Sequence, residues 1–421
     1  MLATWGCTTF PKPTLSLDFL GATSLDSGIT FSRASTATFF NSLGVLTTAS
    51  SGVARFDYNP STLQPRGLLI EEQRTNSIRN NTMQGAVAGT PGTLPTNWAE
   101  VGGGLGTLTR QIVGTGTENG ITYIDLKFSG TTSTVSVGYA FEAVGGIAAS
   151  NGQTWTNSFW CKLVAGSAAN ITSVNSLIEE RTGAGGFLAN TVSAISPTAT
   201  LTRFPQTFTL NAGATVGQVR GGFILLFSSG VAIDITLRIG LPQLELGAFA
   251  TSVIPTTTTA LTRNADVASM TGTNFSSWFN AAGIGTLFAQ AASRSTSTAN
   301  ALITQIDSGS SADIFGIYHQ VDEQAVFRVR IGNVNIFGTG FGTLTDGVVA
   351  KTAAAFQSGS NAACLNGGTV VSNTTSFSAP TMSVLRIGTN QISTESINGW
   401  VQRLAYYPVR LQASQLQALT A

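Results

Sequence analysis

"AIDITLRIG", residues 232–240, places Ile233, Ile235, Leu237 and Ile239 at every second position, with Asp234, Thr236 and Arg238 between them. Successive side chains of a strand leave on opposite faces, so this run offers one face to a core and the other to water. Similar short apolar or alternating runs, closed by Gly, Ser or Asn, recur on either side of it. One set comprises "ITYIDLKF" (121–128), "STVSVGYAFEAV" (133–144), "TWTNSFWCKLV" (154–164) and "GGFILLF" (221–227). A second comprises "GTLFAQA" (285–291), "ALITQID" (301–307), "IFGIYHQ" (314–320), "AVFRVRIG" (325–332), "SVLRIG" (383–388) and "GWVQRLAYYP" (399–408). Runs spaced in this way predict an all-β chain built of β-sandwiches.

Two loop-like stretches divide the chain. "NNTMQGAVAGTPGTLPTNW" (80–98) sets off an N-terminal segment, and "TSVIPTTTTALTRNAD" (251–266) carries a Pro and a Thr run that resist helix. The expected organisation is a short segment over 1–79, a sandwich over 80–256 and a second sandwich over 257–421. In "LQASQLQALTA", Leu411, Leu416 and Leu419 predict one short C-terminal helix.

Composition narrows the function. Of 421 residues, 10% are charged and the net charge is +1, so no electrostatic footprint for nucleic acid exists. No run of roughly 18 apolar residues is present, which excludes a spanning helix and predicts no membrane insertion. The first residues lack the charged and apolar regions of a secretory signal. Cys7, Cys161 and Cys364 are odd in number and far apart, and read as free thiols of a reducing cytosol. So little charge suggests that solubility depends on assembly.

What charge there is concentrates in "RGLLIEEQRTN" (66–76), where Arg66, Glu71, Glu72 and Arg74 fall close to Arg79. Adjacent Glu71 and Glu72 diverge on strand or helix, so they cannot flank one glycosidic bond as a carboxylate pair must. The better reading is a structural joint, with Arg66, Arg74 or Arg79 paired to these acids. The sole histidine, His319, has no G-x-S-x-G elbow nearby and is expected to be structural. No motif for a metal is present, and a structural Ca²⁺ held by carbonyls and scattered carboxylates would leave none. "VGGGLG" (101–106) neither opens a helix nor precedes a lysine, so it reads as a turn and not a phosphate loop. No cofactor is expected. Trp400, Tyr407, Tyr318 and His319 remain as glycan-contact candidates, although alternation sets Trp400 with Leu404, and Trp155 with Phe159, on core-like faces.

Three blocks carry a resemblance. "FSRASTATFFNSLGVLTTASSGVARFDYNPSTLQPRGLLIEEQRTN" (31–76) closely resembles the N-terminal signature of a family of tailed-bacteriophage and prophage virion proteins. "IGLPQLELGAFATSVIPTTTTALTRNADVASMTG" (239–272) is similar to that family's connector, and "GWVQRLAYYPVRLQASQLQALT" (399–420) to its final strand and helix. Ala54 stands where the family often has Pro, and Val253 where it usually has Tyr.

The resemblance implies a carbohydrate-binding-module-like jelly roll followed by a concanavalin/laminin-G-like sandwich, in a virion surface appendage of the tail fibre or spike type. It implies assembly from the host cytoplasm into the virion, other virion proteins as partners, a homo-oligomer with a trimer as the expected symmetry, and a host surface polysaccharide as ligand. It transfers no catalytic residue, and the expectation is that the chain is not an enzyme. Two alternatives stay open: a purely structural head decoration, head fibre or connector, and a capsule depolymerase.

Overall fold

The computed structural model describes residues 10–143, 146–295 and 299–421; Cys7 lies outside them. The chain divides into two units. Residues 10–44, 48–73 and 264–421 form the first, and residues 45–47 and 74–263 the second. Each is a β-sandwich, as the alternating runs predict, and the C-terminal helix Ala413–Thr420 is present. One further helix, the four-residue Thr273–Ser276, has no periodic signal in the sequence.

The strand Gly399–Tyr407 organises the first unit. On one edge it pairs with Gly285–Ala292. Its other edge is filled in two parts, by Leu15–Asp18 along residues 403–406 and by Pro65–Ile70 along residues 399–401. These strands belong to an eight-stranded sheet that also contains Arg55–Tyr58, Val349–Phe356, Asn361–Leu365 and Val371–Asn373. The facing seven-stranded sheet runs from Thr30–Ser32 through Val267–Thr271, Val384–Ile387, Ala301–Asp307, Ile314–His319 and Gln324–Ile331 to Val334–Thr343. Leu17, Leu68, Ile70, Ala289, Ile306, Phe315, Phe327, Phe356 and Tyr406 meet in the core between them.

The stretch 1–79, expected as a separate segment, therefore does not stand apart. Its strands complete both sheets of the C-terminal sandwich because an unpaired edge of Gly399–Tyr407 would leave buried N–H and C=O groups without partners. The covalent boundaries of the second unit fall after Gln73 and after Arg263 and not near 79 and 256.

In the second unit a five-stranded sheet (Thr202–Thr209, Thr154–Gly166, Ala232–Leu246, Ile121–Thr131, Thr109–Glu118) faces a six-stranded one. The latter comprises Phe187–Ile195, Ile171–Thr182, Val216–Phe227, Ser136–Ala140, Ala99–Val101 and the short Ile147–Ala148. Aromatic rings fill the space between, with Phe141 at 5.4 Å from Phe159 and Tyr139 at 5.7 Å from Phe223. The alternation of residues 232–240 holds: Ile233, Ile235, Leu237 and Ile239 all lie in this core. Cys161 is buried there and Cys364 in the first unit, both as free thiols. Among the described residues no helix is long and apolar enough to cross a membrane.

This connectivity has a consequence for fragments. Residues 74–263 expressed alone should unfold in one cooperative thermal transition, since both sheets of that sandwich are complete. Residues 257–421 alone should give no such transition, because their sheet lacks the strands at 15–18, 55–58 and 65–70. Calorimetry of the two fragments checks this.

Candidate functional site

The charged stretch at 66–79 resolves first. Glu71 ends the strand Pro65–Ile70 and turns into the first unit, where it meets Arg55, Arg33 and Asp266, none more than 5% exposed. Asp266 Oδ1 accepts from Arg33 Nη1 at 2.9 Å, and Oδ2 accepts from Arg55 Nη2 at 2.5 Å and from the Glu71 amide at 2.9 Å. Arg55 Nη1 donates to Glu71 Oε2 at 2.8 Å and to the Thr38 carbonyl at 3.0 Å. Arg33 also donates to the carbonyls of Ser35, Ser50 and Val53. Burial opposes the Arg55 charge, but the carboxylates of Asp266 and Glu71 more than offset it and hold its pKa above the ordinary value. Two guanidiniums and two carboxylates thus close on one another, which is the condition under which buried charge is tolerated.

The pairings expected within 66–79 are corrected by this geometry. Glu71 is paired to Arg55, and Glu72 exchanges hydrogen bonds with Asn398, its amide donating to Oδ1 at 2.9 Å and its Oε2 accepting from Nδ2 at 3.1 Å. Arg66 lies 3.6 Å from Asp57 and over the Trp400 ring at 4.6 Å. Arg74 and Arg79 belong to the second unit. Arg74 donates to the Leu246 carbonyl and covers Phe249 at 4.8 Å, while Arg79 grips Glu142 at 2.6 Å. Sequence proximity misled because the acids' partners, Arg55 and Asn398, come from distant parts of the sequence.

The glycan-contact candidates are each held by neighbouring side chains. Trp400 is held on both sides, its Nε1 donating to Asp57 Oδ2 at 2.9 Å and Arg66 stacked on its ring. It does not share a face with Leu404, because a β-bulge against Gly285–Ala292 inserts one residue between Val401 and Arg403 and reverses the alternation. Tyr407 lies in a small cluster with Phe288, Leu411 and Leu416. Tyr318 is 1% exposed, donates to Gln305 Oε1 and has Arg328 over its ring at 4.3 Å.

His319 is fully buried, with Ser293 Oγ at 2.9 Å from Nδ1 and Glu323 Oε2 at 3.0 Å from Nε2. Asp346 Oδ1 lies 3.9 Å from Nδ1. One ligand atom from each of His319, Glu323 and Asp346 falls within 4.8 Å of the others. A metal ion there would have to take the place of one of the two hydrogen bonds that already hold the ring.

A shallow groove of about 580 Å³ lies directly on the buried ion network, lined by Phe31, Ser32, Arg33, Ser51, Gln73 and Asn264 among others. Its floor is fixed: Arg33 is committed to Asp266, and the Asn264 amide donates to Ser35 Oγ at 2.9 Å. Its walls offer neutral hydroxyl and amide groups around the half-buried Phe31 ring. The sequence reading missed this site. Its one legible signal is that Arg33, Arg55 and Asp266 sit inside the resemblance blocks of a charge-poor chain. A smaller opening of about 360 Å³ is lined by Asp18 and Asp26, whose carboxylates accept from nearby backbone amides and, for Asp18, pair with Arg403.

No family model matches the chain, and no curated protein matches it. Among solved structures it is similar to the CBM40 carbohydrate-binding module of Ruminococcus gnavus IT-sialidase bound to α2,6-sialyllactose, at 15% identity over 34% of this chain and 85% of that one (TM-score 0.29). It is similar to a Trypanosoma rangeli sialidase in complex with the inhibitor DANA at 11% identity over 72% and 61% (TM-score 0.29). An arabinose-bound α-L-arabinofuranosidase matches at 17% identity over 44% and 27% (TM-score 0.30). Against the expectation that the chain is not an enzyme, two of these similar structures are enzymes, a sialidase and an arabinofuranosidase, beside a binding module. Likenesses this slight assign no activity, substrate or site to the chain.

The network makes a direct prediction. Asp266→Asn removes the counter-charge shared by two buried guanidiniums and should destabilise the first unit by roughly 3–5 kcal/mol. In calorimetry the transition of the first unit should fall while that of residues 74–263 stays in place.

Proposed function

We propose that the chain is a surface appendage of a tailed-phage virion, assembled as a homo-oligomer, that binds host-surface glycans through the groove of its first unit. The observation that carries the reading is the placement of that groove. The signature blocks "FSRAS", "RFDY", "GLLIEE" and "TRNAD" supply the four charged residues beneath it, and "FSRAS" and "TRNAD" also supply much of its lining, with Phe31, Ser32, Asn264 and Ala265. A rigid floor under neutral donors and acceptors beside an apolar ring is the chemistry that suits a sugar, which offers hydroxyls at its edge and C–H groups on its face. The buried charges below supply rigidity and leave no net charge to the rim.

A purely structural role, as head decoration, head fibre or connector, is the second reading. The observation that favours it is that Tyr318, His319 and Tyr407 are buried and Trp400 is held between Arg66 and Asp57, so none of them is a free aromatic platform.

Binding of the purified full chain to host cells and envelope polysaccharide separates the two. Phe31→Ala and Asn264→Ala should each weaken binding about tenfold, equivalent to about 1.4 kcal/mol, in protein that still unfolds cooperatively. Binding equal to wild type in both variants, or no binding to any host glycan, would overturn the groove reading.

A further inference from the structure

The six-stranded sheet of the second unit carries a row of charge on the face turned away from its core. Register defines it: Glu179 stands opposite Asn190 on one neighbouring strand and Arg220 on the other, and Arg181 stands opposite Phe187 and Gln218. Val174, Ile178, Val219 and Phe223, at the alternate positions, belong to the core, so the charged set leaves on the opposite face. Glu142 flanks Arg220 from the other side, following Phe141, whose amide donates to the Gly221 carbonyl at 2.9 Å.

Charge along this row does not balance. Glu142 is taken by Arg79 at 2.6 Å, and Glu179 by Arg181 at 2.8 Å. Three guanidiniums against two carboxylates leave a surplus of one, and it falls on Arg220. Among the described residues the Arg220 side chain makes no hydrogen bond or ion pair, and its Nε is shut off from water. Burial first, then the neighbouring Arg181 charge, holds its pKa below the ordinary arginine value. The outer face of the five-stranded sheet shows the contrast. There Arg238 is bidentate on Asp125 at 2.8 Å, Lys162 lies 2.7 Å from Glu118 and Lys127 3.2 Å from Asp234.

A partly desolvated guanidinium without a counter-ion is unfavourable, and its planar fork matches a carboxylate with two parallel hydrogen bonds. Two strands away on the same face the Phe187 ring is 57% exposed, with Arg181 Cζ 5.9 Å from its centre, and Asn190 and Val192 are also exposed. Here a ring able to stack on a sugar, an amide able to meet its hydroxyls and an unmatched cation share one sheet face. We propose that this face binds a carboxylate-bearing sugar of an acidic glycan, with Arg220 as the partner of the carboxylate and Phe187 as the stacking surface. The inference rests on the glycan-binding reading above and adds to it a second site and a ligand class.

Calorimetric titration of the full chain with oligosaccharides of glucuronic, galacturonic and mannuronic acid, and with neutral glucose and galactose oligomers, tests it. At least one acidic oligomer should bind more tightly than every neutral one, with an affinity that falls as salt is raised. Arg220→Gln should weaken that binding at least tenfold and Arg220→Lys less, while binding of neutral oligomers and the melting temperature stay at wild-type values. Phe187→Ala should weaken acidic and neutral sugars alike at this face. If Arg220→Gln binds acidic oligomers as wild type does and Phe31→Ala does not, the sheet-face site falls and the groove stands. Failure of every acidic oligomer to bind overturns the sheet-face site. Failure of host glycans and of neutral and acidic oligomers together overturns both readings.

Discussion

Asp266 sits where the chain returns to the first unit, and three donors converge on its carboxylate: Arg33, Arg55 and the backbone of Glu71. Its own amide donates to the Glu71 carbonyl at 3.0 Å, so the strand that ends before the second unit and the segment that follows it lie side by side. A long insertion costs chain entropy only slowly with its length, but its two ends must still be fixed. One carboxylate does this within the first unit. It also draws in the loop after Thr30–Ser32 through Arg33 and the strand Arg55–Tyr58 through Arg55.

The choice of ions over apolar groups at this junction has a physical consequence. Replacing a buried ion cluster by well-packed hydrocarbon is often neutral or stabilising, so the cluster is not there to maximise stability. Each charge is strongly unfavourable until its partners arrive, which penalises any arrangement in which one segment is missing or out of register. In this sandwich the segments come from both ends of the chain, and the network accepts only the assembly that contains all of them. The groove above inherits that rigidity, because Arg33 and Asn264 contribute to its lining while bonded to the framework below.

Much of the fold was legible because alternation is a local property. "ALITQID" at 301–307 coincides with its strand, and "TWTNSFWCKLV" lies within Thr154–Gly166. Non-local features were not legible. The fate of residues 1–79 depended on an edge supplied by Gly399–Tyr407, and no pattern within those residues announces it. The face of Trp400 depended on a bulge of one residue. Charge scarcity correctly drew attention to Glu71, yet its partner Arg55 lies on another strand, outside the span that was read as self-paired. Arg220 had no signal at all, since a missing partner is a property of three-dimensional neighbours. The resemblance blocks marked the right residues without showing that their charges meet in one place.

Energetic coupling inside the network decides whether the sandwich depends on it. The most direct measurement is a double-mutant cycle on the unfolding of the first unit, comparing Arg55→Ala, Asp266→Ala and the double variant. If the carboxylate and the guanidinium hold the segments together as one unit, the double variant will be less destabilised than the sum of the singles by about 2 kcal/mol or more. Additivity within about 0.5 kcal/mol would show two independent buried charges and contradict the network as the constraint on which the sandwich depends.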